Sequence, residues 1–227
     1  MANVTGSEIV SRVFVLRHVE RDKSNTDDPQ TPTPGGEVAA YAMGMELRKR
    51  FFANIVDVTS SPQPRATRTA AILMAGINGY NEAKWRPVQT DQRLDDFSSD
   101  QRFVEEVKAV KEFAKKNGLE PEQAIFLAPE ASKMLEIKSS EYEGVVRELG
   151  KESGDHLVTV HGAAIDGCCL RIRNSSMALG NNGGMFDKVE GFVACFSYDE
   201  FSSSYELQNI ELIRQPEYIR ALNAILP

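Results

Sequence analysis

The chain has 227 residues, a length that suits one α/β domain with a substantial core, and we expect residues 1–227 to form that single domain. Hydrophobic residues make up 41% of the chain and charged residues 26%, which argues against wholesale disorder. The formal net charge of −7 argues against a general nucleic-acid binder, because such binding needs a broad basic surface.

The cysteines and the apolar runs bear on the cellular compartment. Cys168, Cys169 and Cys195 are odd in number and two are adjacent, so they suggest neither a disulfide framework nor a Cys-x-x-Cys metal site. Residues 1–12 lack the apolar core of a signal peptide, and no run approaches the roughly 20 apolar residues of a membrane span. We therefore expect a cytoplasmic protein that does not bind a membrane.

A short apolar run near the N-terminus, Val13-Phe14-Val15-Leu16, predicts a buried central strand. It leads directly into the polar cluster Arg17-His18-Val19-Glu20-Arg21. In open α/β sheets the ligand crevice lies outside the carboxyl ends of the strands, so Arg17 and His18 stand where a substrate would lie. Taken alone, an Arg-His pair is more typical of a solvent-exposed strand end than of a functional site. A functional role for Arg17 and His18 therefore depends on support from the rest of the chain.

The remaining chain alternates between strand and helix patterns. Strands are predicted at residues 55–60, 85–90, 157–160, 191–198 and 205–213, helices at 37–52, 65–75, 100–116, 133–151, 162–179 and 216–226, a loop at 22–36 and a turn at 181–184. The helix at 133–151 is expected at the surface, and residues 120–150 suggest no chemistry. The alternation predicts an α/β fold, a three-layer α-β-α arrangement around a mostly parallel central sheet.

Charged and histidine side chains follow three of these strands. His18 and His161 each stand just past an apolar run, and Arg65 lies in the first turn of a helix, where backbone N–H groups favour anions. If the three strands are neighbours, their carboxyl ends bring these residues together with Arg17 and Arg21. Guanidinium groups bind phosphate in a bidentate manner, and histidine adds a nucleophile or a further donor. The pocket therefore predicts a phosphoryl ligand.

Four short motifs follow one another along the chain: Arg17-His18-Val19, the run from Ser61 to Ala70, Leu94-Asp95-Asp96 and His161-Gly162. In type and order they resemble the Arg-His-Gly, Ser-x-x-x-Arg-Ala-x-x-Thr-Ala, Leu-x-Glu and His-Gly motifs of the histidine phosphatase superfamily, which contains phosphoglycerate mutases and many acid phosphatases. The resemblance covers residues 13–165 and implies a phosphoglycerate mutase-like fold.

The resemblance implies a metal-independent phosphomonoesterase that uses no cofactor. His18 would accept the phosphoryl group as phosphohistidine, while Arg17, Arg65 and His161 would hold the phosphate oxygens. A similarity to the branch of the family that acts on phosphotyrosine adds Arg21 as a further phosphate contact. The expected substrate is a phosphorylated small molecule or a phosphoprotein, and the oligomeric state stays open.

Two positions depart from the family pattern. Val19 replaces a glycine, so either the turn there has a conventional backbone or the loop is displaced, because a β-branched residue tolerates positive φ poorly. Asp96 replaces the glutamate of Leu-x-Glu and would protonate the leaving oxygen with a shorter side chain, and Asp95 is the alternative acid.

Other functions stay open. A phosphoglycerate mutase ranks second, because no paired arginine or Arg-Tyr cluster for a substrate carboxylate occurs between Asp96 and His161. A phosphate-binding module that has lost turnover through Val19 and Asp96 is the third. A zinc hydrolase fits poorly, because the chain has no His-Glu-x-x-His or comparable ligand spacing.

Three further polar residues stand near the motifs or the predicted strands. Arg68 is expected to be solvated, and His156 is expected at the surface at the opposite end of its strand. Glu20 fits either a carboxylate that orients an arginine or a solvated side chain.

Overall fold

The computed structural model describes residues 8–22, 31–79, 85–119, 121–129, 131–173, 186–200 and 202–225. The strands are β1 (Ile9–Arg17), β2 (Ile55–Ser60), β3 (Val88–Thr90), β4 (Gly154–Val160), β5 (Gly191–Asp199) and β6 (Ser204–Ile213). The helices are α1 (Pro34–Phe51), α2 (Pro64–Asn78), α3 (Val104–Asn117), α4 (Pro121–Leu127), α5 (Ala131–Leu149), α6 (Gly162–Ile172) and α7 (Glu217–Ile225).

The strands form one sheet in the order β3-β2-β4-β1-β5-β6. Strands β1 to β4 are parallel, whereas β5 is antiparallel to both of its neighbours. Because β4 lies between β1 and β2, the carboxyl ends of these three strands meet at one edge, with Arg17 opposite Val160 and Ser60 opposite Thr159. The predicted α/β fold with a mostly parallel sheet is confirmed.

Side chains alternate along β1 between two apolar cores. Val13 and Val15 belong to a core with α3 to α6, and Phe14 and Leu16 belong to a second core with α1, α2 and α7. All four side chains are fully buried. Burying each one contributes about 1.5–3 kcal/mol, so the strand that leads into the polar cluster is firmly held.

Helix α1 begins at Pro34, three residues before the predicted start. The Thr33 hydroxyl accepts a hydrogen bond from the backbone N–H of Gly36 at 3.0 Å, and Pro34 supplies a backbone already suited to a first helical turn. Because the helix is capped at Thr33, residues 34–36 of the predicted loop belong to α1. Residues 23–30 of that loop lie outside the described residues.

Several other boundaries differ from the sequence prediction. Strand β3 covers only Val88–Thr90, and short 3₁₀ turns occupy residues 97–103 before α3. Helix α6 ends at Ile172, and the predicted turn at residues 181–184 lies outside the described residues. Of the helices in the described ranges, none is long and apolar enough to cross a membrane.

The prediction that residues 133–151 form a surface helix is wrong in one respect. Helix α5 has an exposed face, but it also buries Met134, Lys138, Tyr142 and Val145. The apolar members of this face join the core with α6, and the polar members reach the loop that follows β3.

Candidate active site

The site lies where β1, β2 and β4 end. The backbone N–H of His18 donates to the Val160 carbonyl at 2.9 Å, and that of Ser61 donates to the Thr159 carbonyl at 3.0 Å. These bonds extend the parallel sheet by one residue beyond two of its strands. They hold the first residues after the strands at a fixed position along the edge.

The His18 ring is held in one orientation by two partners. Its Nδ1 lies 2.5 Å from the Val19 carbonyl oxygen, and Nε of Arg65 donates to its Nε2 at 3.1 Å. Because a carbonyl only accepts and a guanidinium only donates, the neutral ring carries its proton on Nδ1 and a lone pair on Nε2. Burial, with the positive charges around it, holds the pKa of His18 well below its ordinary value.

Arg65 connects the polar groups of the site. It lies in the first turn of α2, is 6% exposed, and donates from Nη2 to Asp96 Oδ2 at 2.9 Å. The same Nη2 lies 3.2 Å from Nδ1 of His161. One guanidinium therefore contacts His18, His161 and Asp96 at once.

His161 is also held in a defined tautomer. Its Nδ1 accepts from Arg65, so its proton lies on Nε2, which donates to the Ser61 hydroxyl at 2.7 Å. Burial lowers the pKa of His161 to about 4, with the Asp96 carboxylate opposing the shift and Arg65 adding to it. The two imidazole rings stand edge to face with their centroids 4.8 Å apart. Sequence reasoning assigned no role to Ser61.

Arg17 is buried at the end of β1 beside a segment that sequence reasoning did not assign. Its Nη1 donates to the Phe186 carbonyl at 2.9 Å, and its backbone pairs with residues 189 and 190. Gly162 leaves room for the guanidinium, because a Cβ there would lie 3.2 Å from Arg17 Cζ. Residues 186–190 thus help to position Arg17.

Glu190 anchors that segment from inside the protein. Its buried carboxylate accepts hydrogen bonds from Arg214 at 2.8 Å, from Arg220 at 2.9 Å and from the Gln215 backbone at 3.0 Å. Burial opposes ionisation, but these hydrogen bonds hold the pKa of Glu190 below its ordinary value. The carboxylate therefore stays ionised near neutral pH.

Two further cations stand at the rim. Arg21 is exposed, and its backbone pairs with Pro32. Burial lowers the pKa of Arg65 against the opposing Asp96, and the charge of Arg21 adds to this lowering. Lys188, which sequence reasoning missed, lies with Nζ 3.3 Å from Glu20 Oε2, and its charge contributes to the low pKa of His18.

The two aspartates of the Leu94-Asp95-Asp96 motif have different surroundings. The Asp96 carboxylate faces Arg65, as described above. Asp95 Oδ1 instead accepts from the Gln63 side chain at 2.9 Å and from the Asp96 backbone N–H at 2.7 Å. Asp96 thus faces the cluster of Arg65 and the two histidines, whereas Asp95 helps to shape the loop.

Val19 is accommodated without strain. Among the described non-glycine residues, only Phe52, Val189 and Ser203 have positive φ, so the backbone at Val19 is conventional and needs no glycine. The Val19 N–H donates to the Thr69 hydroxyl at 3.2 Å, and its carbonyl orients His18.

Arg68 and His156 lie outside the cluster around Arg65, one partly exposed and the other buried. Arg68 is half-exposed and pairs with Glu37 at 2.7 Å, as befits a solvated helix arginine. The prediction of a surface His156 is wrong, since this residue is 1% exposed with Nε2 3.0 Å from the Glu152 carbonyl. Strand β4 lies between β2 and β1, so the neighbouring strands cover even its first residues. Within the described ranges, no three His, Cys, Asp or Glu side chains cluster as metal ligands.

Several solved structures share this fold. Mycobacterial hydrolase 2 has a TM-score of 0.58 and 16% identity over 97% of this chain and 99% of its own. A mycobacterial glucosyl-3-phosphoglycerate phosphatase has a TM-score of 0.52 and 17% identity over 90% of this chain and 98% of its own. A mutant phosphoserine phosphatase from Entamoeba histolytica, in complex with phosphoserine, has a TM-score of 0.52 and 16% identity over 88% and 96%.

The similarity lies in three-dimensional structure. By sequence, the chain has no significant match to a family model or to a curated protein. At these identities the solved structures establish the shared fold, and the function has to be argued from the side chains at the strand ends.

Proposed function

We propose that this chain is a metal-independent phosphomonoesterase that works through a phosphohistidine on His18. The observation that carries the proposal is the His18 ring itself, with its proton held on Nδ1 and its Nε2 lone pair 3.1 Å from Nε of Arg65. A neutral imidazole next to a buried guanidinium is suited to attack a phosphoryl group that the guanidinium binds.

The first step transfers the phosphoryl group to the protein. Arg17, Arg65 and His161 hold the three non-bridging oxygens, where negative charge is spread in the transition state. The Nε2 lone pair of His18 forms the new bond to phosphorus as the bond to the ester oxygen breaks. When the bound phosphate takes over Arg65, Asp96 loses its ion-pair partner and takes up a proton, which it gives to the departing oxygen.

The second step returns the protein to its starting state. A water molecule attacks the phosphorus, the bond to His18 Nε2 breaks, and the Asp96 carboxylate takes a proton from the water. Inorganic phosphate leaves. The hydrogen bond from His18 Nδ1 to the Val19 carbonyl keeps the ring in place through both steps.

The names of two proteins with the same fold support this class of substrate. One is a glucosyl-3-phosphoglycerate phosphatase and the other a phosphoserine phosphatase. Both names describe phosphate monoesters. For this chain we propose a phosphate monoester as substrate, either a small molecule or a phosphoprotein.

The test is hydrolysis of p-nitrophenyl phosphate in the presence of EDTA. We expect the wild type to release phosphate despite the chelator and His18→Ala to lose this activity. His156→Gln is the matched control, because His156 lies in β4 with its ring on a backbone carbonyl, and it should retain activity once thermal unfolding shows that it is folded.

Three results would contradict the proposal. The first is activity that EDTA abolishes and added metal restores. The second is isomerisation of 3-phosphoglycerate without net release of phosphate, which would indicate a mutase. The third is binding of orthovanadate by an inert wild type, which would indicate a phosphate-binding module.

A further inference from the structure

Helix α5 carries a lysine that is buried although it is charged. Lys138 is 1% exposed, which is rare for a lysine unless its charge is paired. Its Nζ donates to the Glu141 carboxylate at 2.9 Å and to the Arg93 carbonyl at 3.1 Å, and it lies 3.6 Å from Asp100 Oδ2. The ammonium thus makes two hydrogen bonds and lies within ion-pair distance of a third oxygen.

Two of these three oxygens belong to the loop that carries the proposed acid. We call residues 91–103 the acid loop, because Asp96 lies within it. Arg93 comes before Asp96 and Asp100 after it, so a single ammonium contacts the loop on both sides of the carboxylate. One turn further along α5, the buried Tyr142 hydroxyl donates to the Leu94 carbonyl at 3.0 Å.

We propose that Lys138, assisted by Tyr142, is a positioning residue that fixes the acid loop so that Asp96 meets the leaving oxygen. This inference rests on the proposed function, because it concerns the group that acts as acid in that reaction. The contact that Lys138 would maintain is the 2.9 Å hydrogen bond from Arg65 Nη2 to Asp96 Oδ2, which holds the proposed acid next to the proposed phosphate-binding guanidinium.

The other ion pairs between α5 and the acid loop are at the surface. Arg93 pairs with Glu148 at 2.7 Å and Arg102 pairs with Glu141 at 2.8 Å, but both arginines are substantially exposed. Exposed ion pairs contribute little, because water and salt screen them. Among these ion pairs, the buried lysine is therefore the one whose loss moves the loop most.

A displaced acid has a distinctive kinetic signature. Protonation of the leaving oxygen matters most when the departing alcohol is weakly acidic, and it matters little for p-nitrophenol, which leaves readily as an anion. A misplacement of about 1 Å can lower a rate by about 100-fold. Loss of Lys138 should therefore slow poor leaving groups selectively, whereas general damage to the fold would slow all esters alike.

The experiment compares kcat/KM for phenyl phosphate and p-nitrophenyl phosphate, two esters of similar shape. For Lys138→Met we expect a loss of about 10- to 100-fold on phenyl phosphate and less than about threefold on p-nitrophenyl phosphate. Tyr142→Phe should show the same selectivity at a smaller size, and Asp96→Asn should show it at the largest size. Lys133→Met, at an exposed position of the same helix, is the control and should match the wild type.

The outcomes separate the two proposals. If the wild type hydrolyses neither ester, the proposed function falls and this inference falls with it. If the wild type hydrolyses both but Lys138→Met loses the two activities equally, or loses neither, the positioning role is wrong while the function stands. If Lys138→Met does not fold, the same ratio measured on Tyr142→Phe decides.

Discussion

Nε of Arg65 donates a hydrogen bond to Nε2 of His18 across 3.1 Å, joining residues 47 positions apart in the chain. The second nitrogen of the same guanidinium reaches Asp96 and His161. A bound phosphoryl group would take over the guanidinium protons and leave the His18 lone pair facing phosphorus. In the proposed reaction, Arg65 therefore binds the substrate and also holds His18 in place before the substrate arrives.

Replacing Arg65 should therefore be costly. We expect Arg65→Ala to lower kcat/KM for p-nitrophenyl phosphate by about 10²–10³-fold, because a buried donor to the transition-state oxygens is lost. Steady-state kinetics on the purified variant tests this. Arg68→Ala, three residues along the same helix and paired with Glu37 at the surface, is the control and should stay within about twofold of the wild type. Equal effects of the two substitutions would contradict the account.

We expect substitutions of Asp95 and Asp96 to have effects of different size on catalysis. Asp96→Asn removes the proton donor and is expected to lower kcat/KM for phenyl phosphate by about 10²–10⁴-fold. Asp95→Asn keeps an oxygen that can accept from Gln63 and from the Asp96 N–H, so its effect should be at least tenfold smaller. The measurement is kcat/KM for both variants on the same ester. A larger loss in Asp95→Asn would transfer the acid role to Asp95.

The titration of His18 provides a test without substrate. Burial and the neighbouring cations lower its pKa in the folded protein, whereas the unfolded chain should show the ordinary value of about 6.5. As the pH falls through 6.5, the His18 ring binds a proton in the unfolded chain but stays neutral in the folded protein. Protonation of this site therefore lowers the free energy of unfolding in acid. NMR titration of the ring, assigned with His18→Ala, should show a neutral imidazole below pH 6.5. A midpoint at or above 6.5 would contradict the account.

The buried Glu190 should be important for stability. Glu190→Ala leaves the buried backbone N–H of Gln215 without its acceptor, and it should lower the free energy of unfolding by about 1–3 kcal/mol. Urea denaturation measures this change. Glu46→Ala, which removes a surface hydrogen bond from Tyr218, is the control and should cost less than about 1 kcal/mol. A Glu190→Ala protein as stable as the control would show that the segment at 186–190 has another anchor.

The strand ends were predictable because apolar runs of β-branched residues have few alternatives to a buried strand. The histidines that follow β1 and β4 could be placed for this reason, and the parallel order β2-β4-β1 then brings them together with Arg65. His156 could not be placed in the same way, because its exposure depends on how far the neighbouring strands extend over the start of β4.

The supporting residues could not be predicted from the sequence. Lys138 stands in a helix rich in charge, where a lysine is usually solvated, and only its contacts with Arg93 and Asp100 reveal a buried role. Lys188 and Glu190 follow no motif and reach the site because residues 186–190 pair with the end of β1. Such roles arise from long-range packing, which has no periodic signal in the chain.

The central claim is that His18 carries the phosphoryl group during turnover. The most direct test mixes the protein with excess phenyl phosphate, quenches it in alkali, which preserves phosphohistidine, and maps the modification by mass spectrometry of peptides. The account predicts one added phosphoryl group on the peptide that contains His18, formed within the first turnover and absent in His18→Ala. A wild type that turns over substrate with His18 unmodified, or a His18→Ala protein that retains full activity, would contradict it.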